Sequence, residues 1–352
     1  MKPRRLVLSL LLSAAFLYLF LRSFDLGTAW RSLREADLRF IALAIGANLA
    51  TYFIRAWRWR GLLAPVRRGI GMMSLISTTF IGFMVSFLVP FRLGEIVRPV
   101  LLARRERIRT SAALGTIALE RVLDMMTLLA LFLLFMLSPR GVTLMSGAGE
   151  GAGLRAAVLL RQGGWIAGAI VLAALPALTL LVAFPREVVR WLHRLHGGRA
   201  PGAVVRTIGL LETFVEGLGV VRRGRQLAGC VALSVLHWGM AGLMLYCGVR
   251  AFGAPLQFVD SFLLLVPLSV GIAVPTPGGV GPYEYLCQVT LTGLWGIEAA
   301  RAAAMAIALH AVTIVPAILL GLAFMWRGGL RPAEVRRMAA MTGIPAHGDT
   351  TR

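Results

Sequence analysis

Residues 90–99 read PFRLGEIVRP, and Arg92, Glu95 and Arg98 recur in them at intervals of three. On a helix that spacing puts the three on one face. Two guanidinium groups against one carboxylate leave an excess positive charge, which an anion such as a lipid phosphate would complete through paired N–H donors. A second set lies in IALERVLDMMTLL (117–129): Glu120 and Asp124 share a face and Arg121 sits beside them. An ion pair from this set to Arg92 or Arg98 is the structural alternative to a ligand site. A third set, TYFIRAWRWRGLL (51–63), interleaves Arg55, Arg58 and Arg60 with Trp57 and Trp59. It reads as an interfacial anchor, although Arg55 and Arg58, three apart, also have the spacing to hold a headgroup.

VPTPGGVGPYEYL (274–286) places one carboxylate, Glu284, in a helix break. Pro275 and Pro277 end an apolar helix, and Gly278, Gly279 and Gly281 let the chain turn back. Glu284 then stands at the start of the returning helix. There it either caps free N–H groups or lines a polar cavity. Pro90 and Gly94 supply the corresponding bend in the first break, and His310 is a further polar residue inside an apolar segment.

The elements that must position these groups are membrane helices. Of 352 residues, 58% are hydrophobic and 15% charged, and mean hydropathy is +0.77. A soluble chain carries charge on about a quarter of its residues. Apolar runs long enough for a bilayer core of about 30 Å are expected at Leu6–Leu21, Leu38–Ala56, Ala112–Leu137, Trp165–Phe184, Leu227–Val249 and Ala302–Trp326. The net charge of +21 lies mostly as arginine in the loops, so it is read by the positive-inside rule and not as a nucleic-acid surface. Cys230, Cys247 and Cys287 lie in apolar segments without ligand spacing; no disulfide, metal or other cofactor is expected.

Loop charges place both termini in the cytoplasm. They leave Met72–Ala103 and Phe262–Ile297 as hairpins that enter and return, from opposite faces. The fold expected is therefore an all-α polytopic membrane protein, with about six full spans and two re-entrant helical hairpins. Its halves, about 5–137 and 163–327, form an inverted repeat. SAALGTIALERV (111–122) and RAAAMAIALHAV (301–312) match at a constant offset that places His310 on the position of Glu120. The Val-Pro steps at 89–90 and 274–275 are taken as equivalent bends. Residues 1–327 make one transmembrane domain. Within it 186–226 is a basic, amphipathic cytoplasmic segment, and 328–352 form a flexible cytoplasmic tail.

RAWRWRGLL, VPFRLGEIVRPVLL, ALERVLDMMTLL and PTPGGVGPYEYL, in this order, resemble the lysylphosphatidylglycerol synthase/flippase transmembrane-region family, over about residues 5–327. The resemblance implies a flippase-like domain that handles lipids between leaflets of a bacterial cytoplasmic (inner) membrane. In two-domain members a soluble aminoacyl-transferase domain follows. Only about 25 residues follow the last span here, so synthase activity is not expected. His310 stands where the family usually has an arginine.

The function expected is a lipid translocase, not an enzyme. Its cargo would be an anionic or aminoacylated glycerophospholipid or a polyprenyl-type lipid. Arg92, Arg98 and Arg121 would hold the phosphate, while Glu95, Glu120, Asp124 and Glu284 orient those arginines. The alternatives are a non-transporting subunit that partners a lipid-synthesis enzyme, and an intramembrane lipid-modifying transferase with Glu95 or Glu120 as base.

Overall fold

The computed structural model describes residues 3–22, 26–146, 224–330 and 334. The expected span Trp165–Phe184, nearly all of the 186–226 segment and most of the 328–352 tail lie outside the described residues. Within them the chain is helical, with no strand. The first half contains α1 (Pro3–Leu21), α2 (Leu26–Glu35), α3 (Leu38–Leu63), α4 (Met72–Leu88), α5 (Gly94–Glu106), α6 (Thr110–Leu137) and α7 (Pro139–Ser146). The second contains α8 (Gly224–Arg250), α9 (Asp260–Ala273), α10 (Pro282–Trp295) and α11 (Ala299–Arg327).

The exterior is apolar and the interior carries charge, the reverse of a water-soluble fold. Leu11, Leu38 and Leu137 are among the large apolar side chains left exposed, whereas Arg58 and Glu120 are fully buried. Among the described residues three helices, α3, α8 and α11, are both long and apolar enough to cross a membrane. At 1.5 Å per residue their 26–29 residues reach roughly 40 Å. α6 is as long, with 28 residues, but carries Glu120, Arg121 and Asp124 near its middle. α1, α4 and α9 are shorter apolar helices. The stretch between the expected spans Leu6–Leu21 and Leu38–Ala56 is not all loop: α2 fills most of it, and Asp37 then caps α3 by accepting the Arg39 N–H at 2.8 Å.

α4 and α5 form one helix–turn–helix unit, α9 and α10 another. Gly94 is indispensable to the first, because a Cβ there would sit 1.7 Å from the Gly82 carbonyl oxygen. In the second unit α9 meets α10 where Gly271 faces the Tyr283 backbone. Each turn is a single 3₁₀ element opened by proline, Pro90–Arg92 and Pro277–Gly279. Each also holds two consecutive left-handed residues. In the second they are Gly278 and Gly279 (φ 63° and 80°), which adopt this region freely. In the first they are Phe91 and Arg92 (φ 65° and 51°), where a side chain costs about 1–2 kcal/mol per residue. The conformationally equivalent bend is thus Pro90 with Pro277, not Val89-Pro90 with Val274-Pro275. Gly278 rests against the Phe87 carbonyl, which brings the two turns together.

Candidate functional site

Arg55, Arg58, Arg92, Glu95, Arg98, Glu120, Arg121 and Asp124 form one continuous ion-pair network. α3 contributes Arg55 and Arg58, three residues apart on its inward face. Trp57 and Arg60, on the other face of the same motif, are exposed. The anchor reading of Arg55 and Arg58 is therefore corrected. Helical periodicity divides RAWRWR into an inward set (Arg55, Arg58, Trp59) and an outward set, and only the outward set can anchor at an interface.

Glu120 is the hub. Its Oε1 accepts from Arg55 Nη1 at 3.1 Å, Arg98 Nη1 at 3.1 Å and Arg121 Nη2 at 2.9 Å, and Arg58 Nη2 lies 3.3 Å away. Asp124 Oδ1 accepts from Arg58 Nη1 at 2.7 Å, and Oδ2 from Arg55 Nη1 at 3.3 Å. At the rim, Arg92 Nη2 is 2.6 Å from Glu95 Oε1, and Arg121 Nη1 is 3.7 Å from the same oxygen. These rim side chains are about a third exposed. Among the described residues five guanidinium groups meet three carboxylates, a surplus of two positive charges.

α8 completes the wall with residues that the sequence reading passed over. Ser234 Oγ accepts from Arg58 Nη1 at 2.7 Å. Trp238 Nε1 donates to Asp124 Oδ1 at 3.3 Å. His237 Nε2 lies 2.8 Å from Arg55 Nη2. Arginine has only donors, so Nε2 accepts and the ring hydrogen sits on Nδ1, which is buried without a partner. The available signal was spacing: Ser234, His237 and Trp238 fall at i, i+3 and i+4, one polar stripe on an otherwise apolar helix. Trp59 lies under Arg98, with Cζ 4.0 Å from the ring centroid, and its indole N–H donates to Thr116 Oγ1 at 2.9 Å.

The network is not saturated. Arg98 Nε and Nη2, Arg58 Nε and Arg121 Nε are buried and make no hydrogen bond. Arg98 and Arg121, with Gly82, Ser86, Gly94 and Glu95, line a pocket of about 10 Å³, room for about one water. A cluster with surplus cations and spare N–H donors is suited to an anion with several oxygens, as a phosphate has. A larger apolar groove of about 350 Å³ runs between α2, α3 and α11, past Leu33, Ile41, Ile45, Val312 and Val315.

Glu284 and His310 lie apart from this network. Glu284 Oε2 accepts the Gly281 N–H at 2.8 Å, the capping role the sequence allowed. Its other oxygen is 2.5 Å from His310 Nδ1. Among the described residues no hydrogen bond or ion pair joins these two to the arginine cluster.

An apolar exterior around a buried, charged interior defines an integral membrane protein. The chain belongs to the lysylphosphatidylglycerol synthase TM-region family, which matches residues 6–321. It is similar to glycosyltransferase AglD of Haloferax volcanii, 27% identical over 327 residues, 87% of this chain and 52% of that protein. It is also similar to the UPF0104 membrane protein PH1989 of Pyrococcus horikoshii, 24% identical over 276 residues, 76% of this chain and 81% of that one. The chain thus spans about half the length of AglD.

Proposed function

We propose that the protein is a lipid translocase that moves a lipid with a phosphate-bearing headgroup between leaflets, binding it at the arginine cluster. The observation that carries this reading is a surplus of two positive charges among the described residues of the cluster, one of whose guanidinium groups, that of Arg58, is fully buried, with unpaired N–H groups on Arg58, Arg98 and Arg121. Isolated charge at membrane depth costs several kcal/mol even on the mildest insertion scales, and an anionic ligand offsets that cost. In this reading α4–α5 and α9–α10 are re-entrant hairpins in an inverted repeat, and the equivalent left-handed turns support the duplication. Both termini face the cytoplasm of a bacterial cell. The pocket at the cluster is smaller than a headgroup, so passage requires the α4–α5 hairpin to move away from α6. Arg92 and Glu95 at its rim are the residues that meet the lipid first.

AglD supports a second reading. That protein is named as a glycosyltransferase, and this chain matches about half of it. The domain would then hold a lipid for a transferase acting beside it, as a subunit or as part of the enzyme.

Reconstitution of the pure chain with fluorescent phosphatidylglycerol or its aminoacylated form, followed by quenching of the outer leaflet, tests the proposal. Wild type is expected to move lipid, and Arg92→Ala and Glu95→Gln to stall; both side chains are about a third exposed, so both variants are expected to fold. Wild type that moves nothing across an anionic-lipid panel sinks the translocase. A new lipid product in cells overexpressing the chain favours the transferase.

A further inference from the structure

His310 touches two acceptors. Nε2 is 2.9 Å from the Gly278 carbonyl oxygen and Nδ1 is 2.5 Å from Glu284 Oε1. A carbonyl oxygen only accepts, so Nε2 carries a hydrogen. A bare Nδ1 lone pair and a bare carboxylate oxygen repel each other across such a contact, so the geometry calls for a second proton between them. Written as imidazolium and carboxylate, or as imidazole and carboxylic acid, the pair holds that proton and is neutral. Without it the pair carries one negative charge, and two lone pairs face each other in a water-poor interior.

This contact ties together three elements: the turn through Gly278, the first turn of α10 through Glu284, and α11 through His310. The imidazole also stacks on Tyr283, with ring centroids 4.3 Å apart. The other titratable neighbours are Cys287, one turn along α10 from Glu284, and Tyr52 of α3, whose hydroxyl donates to the Thr313 carbonyl at 3.3 Å. α4, α8 and α9 approach through the Phe87 carbonyl, Gly248 and Gly271, none of which titrates. α1 approaches through Ser9 and Ser13, which donate to the Pro275 and Val280 carbonyls. No arginine among the described residues bonds to the pair.

A route leads from it to the arginine cluster. Pro316 has no N–H, so the Val312 carbonyl lacks its partner within α11. Asn48 Nδ2 of α3 donates to it at 2.8 Å. Arg55, two turns further along α3, is bonded to Glu120 and Asp124. This hydrogen bond joins α11, two residues past His310, to the helix that holds the cluster.

We propose that Glu284 and His310 form a proton-binding site whose occupancy holds the second hairpin closed, and that this proton is the one to which lipid movement is coupled. The second clause rests on the translocation reading.

The test uses the full chain in lipid nanodiscs and in proteoliposomes. The ¹⁵N-histidine signal of His310, assigned by its loss in His310→Gln, is expected to report departure of one proton as pH rises. Hydrogen exchange of residues 276–284, corrected for the chemical rate, is expected to lose protection about tenfold per pH unit above that midpoint, as one linked proton requires. Glu284→Gln keeps both contacts without the proton, its amide oxygen accepting from Gly281 and its amide nitrogen donating to Nδ1. It is expected to fold and to show neither transition. In proteoliposomes a gradient of one pH unit should shift the leaflet ratio of phosphatidylglycerol about tenfold in wild type and not in Glu284→Gln. A His310 signal that is pH-invariant, or that titrates unchanged in Glu284→Gln, overturns the proton site. Lipid movement indifferent to the gradient overturns the coupling and leaves the translocase standing. Titration with hairpin opening but no lipid movement supports the proton site and removes the translocase instead.

Discussion

The guanidinium of Arg98 sets Nη1 3.1 Å and 3.2 Å from the two oxygens of Glu120, while its flat face lies on Trp59 and its Nε and Nη2 bond to nothing. One arginine is thus anchored on one edge and open on the other. That geometry suits the residue to hold an anion without collapsing onto its own carboxylate.

Glu120 supports several cations, so its removal should be the most damaging single change in the cluster. Glu120→Gln leaves Arg58 and Arg98 buried with too little negative charge, at a cost of about 3–5 kcal/mol. Thermal unfolding in detergent should show the loss. Adding Arg98→Met should restore part of it, because the pair is coupled and the second change removes the stranded charge.

Close approach of α4 and α5 depends on Gly94. Gly94→Ala should prevent the hairpin from closing and lower stability by about 1–3 kcal/mol or more, read by size-exclusion profile and unfolding temperature. Gly46→Ala, in α3 with nothing within 4 Å of the added methyl, should be neutral or raise stability by about 0.5–1 kcal/mol.

His237 is the acceptor for Arg55 Nη2. His237→Leu should leave that donor unpaired and cost about 1–3 kcal/mol, whereas His237→Gln should retain much of the bond. A chain equally stable with either residue would show that Arg55 needs no acceptor from α8.

The proposed inverted repeat can be tested at the two turns. Gly94 and Gly279 do not tolerate side chains, the first for space and the second for its φ of 80°. Leu93 and Val280 are half-buried, with negative φ. In a background without Cys230, Cys247 and Cys287, Leu93→Cys and Val280→Cys should react with impermeant thiol reagents from opposite sides. Reaction of both from one side would remove the inverted repeat.

Much of the architecture was legible beforehand because its signals are local. Proline and glycine in 90–94 and 275–281 mark the two breaks wherever they sit, and apolar run length marks the spans. The polar faces of 90–99 and 117–129 follow from helical spacing alone. The second turn could be read as a turn from its glycines. The first could not be recognised as its conformational equivalent, since Phe91 and Arg92 hold left-handed backbone that only the surrounding packing enforces.

The sequence by itself determined an apolar, helical chain with two interrupted hairpins and its charges collected in a few motifs, because hydropathy and backbone preference act within a turn or two. Tertiary structure alone decided which charges meet. Arg55 reaches Glu120 across 65 residues and His237 across 182. Glu284 finds His310 and stays out of the arginine cluster. Side-chain reach is short and pairing depends on the angle at which helices cross, so partners this distant in the chain are selected only when the helices pack.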